Sequence, residues 1–394
     1  MRIIIFVSLI ALLYSCSSDR KQLQTVHTDI SHVEPIFIDV EKGNYICLDT
    51  VYDSVDLVKL ETTRDNVIGE VSQILFVDSL IVVLDAEKSK SITVYDMQGH
   101  YKYSIGKIGT GPGEYVEVFH ISLIPNKRLI AAVDKRALKI HYYDYSGKWI
   151  KSEMTPAFMY YFEYLQSGDK VCDASGCDKS VLGEFQQNTV IVADSNSRIK
   201  YGTCQDYYDE QRMTYATAFC IRKFADEVYA LPSFTDTIWN ITEHKAVAQY
   251  KVDIVKNGLP SLDKTVTTSQ MKEYLSEHFF LNGDYMVLKD YILLNIWMPN
   301  SSWTPLVIYS PGTSRTYLAD SYAKRPLTYP LYRIAPIARY GDNIAVVSIS
   351  PSSLFAMKEL FEQKGDKKEV KRIFDNLTED DNPILFFYHL KQNM

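Results

Sequence analysis

Long apolar runs are almost absent from this chain. After residue 16 no stretch reaches the ~18 uninterrupted apolar residues that suggest a membrane-crossing helix, which leaves the N-terminus as the one candidate membrane element. Basic stripes are missing as well. Lysine and arginine total 42 against 49 acidic residues, a formal net charge of −7 spread without long blocks of one sign. A phosphate backbone needs a concentrated positive surface, so nucleic acid is not an expected partner. Catalytic signatures are equally scarce. There is no H-E-x-x-H, G-x-S-x-G or H-x-H, and the eight histidines are scattered. His120 and His141 fall on adjacent expected strands, where a packing role is the plain expectation. Cysteine is limited to six. Setting Cys16 aside, the remaining five leave at least one thiol free unless two chains are joined. Cys172 and Cys177 lie in DKVCDASGCDK, a loop that could close a small disulfide in an oxidising compartment. No second pair matches the spacing of a zinc site, so neither a metal nor a cofactor is expected.

What the chain does have begins at residue 1. MRIIIFVSLIALLYSC places Arg2 before an apolar run that ends at Leu13-Tyr14-Ser15-Cys16. That run is too short to cross ~30 Å of hydrocarbon stably, and the small residue before Cys16 suits a signal-peptidase site. The pattern resembles a bacterial lipoprotein signal, which implies removal of residues 1–15 and lipid on Cys16. Residues 16–34 are polar and aperiodic and read as a tether between lipid and domain.

Tyrosine (29) and phenylalanine (17) are abundant and β-branched residues plentiful, the profile of a strand-rich chain. Residues 72–106 divide into SQILFVDS, LIVVLDAEKSK, SITVYDMQG and HYKYSIG, short apolar runs punctuated by Asp, Ser, Gly and Lys. The unit returns over 118–154, with Tyr143-Asp144 matching Tyr95-Asp96. Looser copies follow at 189–198, 224–242, 283–312 and 340–391. Four-strand units at ~40–50-residue spacing predict an all-β, six-bladed β-propeller over residues 35–394. VDLVKLET (55–62) precedes the first unit and is left over. Ring closure would use it as the outer strand of the last blade, beside residues 382–391. Two segments switch to helical spacing: 267–280, with Thr267 and Gln270 as a capping box, and 352–377, read as two short helices broken at Gly365.

IGKIGTGPGEY (105–115), the Tyr-Asp-x-x-Gly turns, the LET strand at 60–62 and FTDTIWNI (234–241) together resemble the six-bladed β-propeller lipoproteins of Bacteroidales, relatives of the NHL-repeat propellers. The resemblance implies fold and envelope location, and no reaction. The glycine-rich loop is not a phosphate cradle, since no Gly-Lys-Ser/Thr ending and no helix follow. Its four glycines and Pro112 suit a crossing between blades. Glu114 would cap that loop's N–H groups, with a ligand-facing role as the weaker expectation.

The expected function is therefore a monomeric, lipid-anchored envelope module that binds a peptide, protein or glycan on one face of the disc. Its expected site is the outer membrane, facing the periplasm, because the residues after Cys16 hold a single Asp rather than an acidic export cluster; surface display is the alternative. An envelope lyase or hydrolase with its site in the central funnel is the alternative activity.

Overall fold

A computed structural model describes residues 28–205, 220–259, 266–299, 305–319 and 325–392. Residues 1–27, with the lipidation candidate Cys16, lie outside the described residues. Six small sheets follow one another along the chain. Blade 1 holds Gln73–Val77, Leu80–Asp85, Ser91–Asp96 and Tyr101–Ser104, paired in that order and antiparallel throughout. Blade 2 (118–154), blade 3 (162–205), blade 4 (221–255) and blade 5 (280–319) repeat the arrangement.

The apolar runs make blades because both sheet faces are buried. On Leu80–Asp85, Ile81 and Val83 pack with Val346 and Phe387 of blade 6, while Val82 and Leu84 pack with Ile121 and Ile130 of blade 2. Side chains alternate with a period of two, so one strand feeds two seams. The repeated Tyr-Asp turns have a common cause. Asp96 accepts the N–H groups of Gln98 and His100, and Asp144 those of Ser146 and Lys148. Asp194 does the same for Asn196 and Arg198, and in blade 4 the Thr242 hydroxyl stands in, accepting from Lys245.

The front of the chain closes the ring. Here β1 is Thr28–Asp29, β2 Glu34–Asp39, β3 Asn44–Ile46 and β4 Tyr52–Lys59. Strand β4 pairs antiparallel with Ile384–Leu390 as the outer strand of blade 6, as its leftover position predicts. The three strands before it were not expected. Strands β1 and β2 add in parallel to the outer strand of blade 4, and β3 adds in parallel to that of blade 5. The tether reading of residues 16–34 is therefore corrected at its end: Thr28 already belongs to the propeller, and Lys245 pins Asp29 at 2.6 Å. Ile36 and Ile38 are fully buried while Phe37 between them is exposed, the alternation of a half-buried edge strand.

Helix α1 (Thr268–Glu277) starts at the expected capping box of Thr267 and Gln270. Helix α2 is Tyr329–Arg333. The segment read as two helices forms three: α3 (Pro351–Phe355), α4 (Lys358–Lys364) and α5 (Lys367–Phe374). The extra start comes from Ser350, whose hydroxyl caps Ser353, followed by Pro351 at the first turn. Leu354, Phe361 and Ile373 are buried, whereas Leu360 faces solvent. This helical segment braces the closing strand, since Arg372 donates to the Val55 carbonyl and Lys59 to that of Asp375.

Candidate functional site

Antiparallel strands send successive connections to opposite faces of the disc, and here the two faces differ sharply. Among the described residues, the connections between blade strands on one face are turns of two to five residues, at 78–79, 97–100, 125–128, 145–148, 165–169, 194–198, 225–226, 242–245, 288–291, 311–314 and 341–343. The other receives segments 60–72, 105–117, 155–161 and 174–187 and every helix, α1 to α5. A fixed scaffold with its elaborations on one side is the usual geometry of a recognition surface.

At the axis the innermost strands are stitched across the seams by polar side chains. Gln73 of blade 1 clamps Ile121 of blade 2, donating to its carbonyl at 2.7 Å and accepting from its N–H at 3.1 Å. His120 Nε2 lies 2.7 Å from the Phe162 carbonyl of blade 3, and the Ser122 hydroxyl donates to Glu163 at 2.6 Å. Lys223 of blade 4 donates to the Tyr164 carbonyl, Arg222 to Asp284 of blade 5, and Arg339 of blade 6 to the Val287 carbonyl. Farther from the axis, the seam between blades 6 and 1 is held by Asn382, ahead of the third strand of blade 6, whose amide reaches the carbonyls of Glu61 and Asn66.

Two groups in the seam of blades 2 and 3 depart far from their ordinary protonation. Glu163 is only 4% exposed with no cation bonded to it, and burial pushes its carboxyl up to about 7. Fully buried His120 is driven the other way, to about 3, again chiefly by desolvation, so it stays neutral. Above this seam, on the elaborated face, aromatic and cationic side chains meet. The Tyr161 ring lies 4.0 Å from that of His120, and Lys135 Nζ sits 4.5 Å from the Phe119 ring centre and 5.4 Å from that of Tyr160. Arg222 lies over Tyr285.

Glu114 serves its own loop. Its carboxylate accepts the Gly111 N–H at 2.8 Å, meets Lys107 at 3.1 Å and is held below the usual carboxylate range chiefly by the Gly111 bond. Close approach explains two glycines. A Cβ on Gly109 would fall 2.1 Å from Glu114 Oε2, and one on Gly106, at φ +63°, would strike the Tyr115 and Tyr143 side chains at 2.7 Å. The loop crosses from the outer strand of blade 1 to the inner strand of blade 2, as expected. The small disulfide between Cys172 and Cys177 is not formed. Both are free; Cys172 is fully buried in the core between blades 2 and 3, and Cys177 donates to the Ala174 carbonyl. His141 is a packed strand residue bonded to Ser152. Among the described residues no cluster of His, Cys, Asp or Glu could hold a metal. Lys135, the Tyr160–Glu163 stretch, Arg222 and Asp284 carried no recognisable motif, because they come from four different blades.

Fold and site together define a six-bladed β-propeller with one elaborated face and a polar axial belt. The chain belongs to the family described as domain of unknown function DUF4934, which it matches over residues 35–389. This agrees with the resemblance to Bacteroidales six-bladed propellers. No curated protein matches the chain. Among solved structures, it is similar to a protein of Bacteroides fragilis NCTC 9343 described as exported, with a TM-score of 0.74 and 20% identity, covering 91% of this chain and 100% of that one. A member of the DUF4221 family from Bacteroides vulgatus ATCC 8482 shares the fold at a TM-score of 0.52 and 10% identity, covering 87% and 98% of the two chains.

Proposed function

We propose that this chain is a non-enzymatic, lipid-anchored module of the cell envelope that captures its ligand on the elaborated face, over the axis. The observation that carries the reading is the asymmetry of the disc: all five α-helices and every connection longer than five residues among the described residues lie on one side. The lipid anchor is supported by the residue pattern ending at Cys16, and the envelope location by similarity to an exported Bacteroides protein. A periplasm-facing attachment suits the single Asp after Cys16.

The test compares substitutions on opposite faces. Envelope material retained by the immobilised chain should be released by Lys135→Glu on the elaborated face and kept by Lys289→Glu on the short-turn face, where Lys289 merely pairs with exposed Asp342. Equal retention by both variants, or loss only with the short-turn variant, overturns the proposal. Radioactive palmitate should label the wild-type chain and not Cys16→Ala.

A further inference from the structure

The geometry points to a saccharide bearing carboxylates as the ligand class of the axial mouth, with Lys135 and Arg222 as its anion-recognising groups. This rests on the reading of the elaborated face as the binding face.

Strand polarity puts the components together. Phe119 is the second residue of the inner strand of blade 2, just after the 105–117 connection, and Lys135 follows that blade's second strand. Tyr160 and Tyr161 precede the inner strand of blade 3, and Arg222 is the second residue of the inner strand of blade 4. All of these positions open onto the elaborated face. The backbone N–H of Lys135 bonds to the Glu117 carbonyl, which fixes where its side chain begins, and the two rings then hold the ammonium. Several lysines elsewhere on the surface are ion-paired: Lys107 with Glu114, Lys200 with Asp169, Lys245 with Asp29 and Lys256 with Glu41. Lys135 has no carboxylate within 4.0 Å among the described residues, so its three N–H donors are free for a ligand. Arg222 spends one N–H on Asp284 at 3.2 Å and rests against Tyr285, which leaves further donors of its planar fork for a carboxylate.

The surroundings favour a negative ligand with an apolar flank. Glu163, beneath Tyr161, keeps its proton in mildly acidic solution and so adds little negative charge to the floor. Asp284 is already paired. Both cations are pre-positioned on aromatic faces, which lowers the ordering cost of binding an anion. The tyrosine pair at 160–161 supplies rings beside those cations, and a pyranose carrying a carboxylate matches that juxtaposition: its C–H face meets a ring while its carboxylate meets an ammonium or guanidinium.

Calorimetric titration of the full chain with trigalacturonate, a hyaluronan tetrasaccharide and an alginate trimer tests this. At least one should bind, and both Lys135→Glu and methyl esterification of the sugar carboxylates should weaken it tenfold or more. Tyr160→Ala should weaken it further, with an unchanged thermal midpoint showing that the ring is intact. The assignment is overturned if no acidic saccharide binds, if the esterified sugar or the Lys135→Glu variant binds as tightly, or if a polyglutamate peptide is preferred. Envelope capture sensitive to elaborated-face substitutions would then still stand, since it does not depend on which chemical class is held.

Discussion

A chain carrying Val55→Asp and Val58→Asp is expected to lose the folded ring entirely rather than fray at one end. The two valines point to opposite sides of β4. Val55 packs in the large core shared by blades 4, 5 and 6, and Val58 in the seam between blades 6 and 1. Burying an unpaired carboxylate at either position costs several kcal/mol, and together they rival the roughly 5–15 kcal/mol that holds an ordinary domain. Loss of β4 also exposes the edge of Ile384–Leu390 and strips α5 of its anchor on Val55. Blades in a closed ring support one another, so the damage should spread. Circular dichroism and a denaturant titration check this: the expected result is no cooperative transition, and retention of a wild-type midpoint would refute it.

The second large effect is a pair of opposed pH dependences at the seam of blades 2 and 3. Glu163 has its folded pKa raised, from 4.5 to about 7. Its contribution to stability is therefore full below pH 4.5 and lost as the pH rises through about 7. His120 has its folded pKa lowered, from 6.5 to about 3, so its contribution is full above pH 6.5 and lost as the pH falls toward 3. Between pH 4.5 and 6.5 the folded chain binds one proton more at Glu163 and one fewer at His120 than the unfolded chain does, and the two slopes cancel. Single substitutions should unmask them. Relative to wild type, Glu163→Gln should gain stability as the pH rises from 4.5 to about 7, by on the order of 3 kcal/mol. His120→Gln should gain as the pH falls from 6.5 toward 3, by on the order of 5 kcal/mol. Unfolding midpoints measured at half-unit steps would decide it; difference curves that are flat, or that slope the same way, would show that the seam does not hold a protonated Glu163 beside a neutral His120.

The ring itself was legible because its cause is local. Runs such as LIVVLD and RLIAAVD alternate toward two seams and are almost wholly apolar, and Asp96, Asp144 and Asp194 cap equivalent turns. The closing strand could be placed because a ring must join its ends. The N-terminal strap was not legible. PIFID is short, its alternation involves only Ile36 and Ile38, and its partners, Tyr250 to Val255, lie some two hundred residues away in a parallel pairing that no turn announces. The mouth was hidden for a related reason: Lys135, Tyr160 and Arg222 look like ordinary surface or strand residues until three blades bring them to one end of the axis. Glu114 and Cys172 show the converse. Each stood out in the sequence and serves structure, one capping its own loop and the other filling a core.

Everything about the mouth depends on the chain closing into a single ring, and a covalent link across the closure tests that most directly. Ser54 and His389 face each other in the register of β4 and the last strand. Opposed residues of an antiparallel pair lie about 4.5–5.5 Å apart at Cα, within disulfide reach. The Ser54→Cys, His389→Cys double variant should form an intramolecular disulfide under mild oxidation, detected as the linked peptide by mass spectrometry. It should also raise the unfolding midpoint by the equivalent of about 2–4 kcal/mol. Free thiols at both positions after oxidation of the folded protein, or a disulfide found only between chains, would contradict the closed ring.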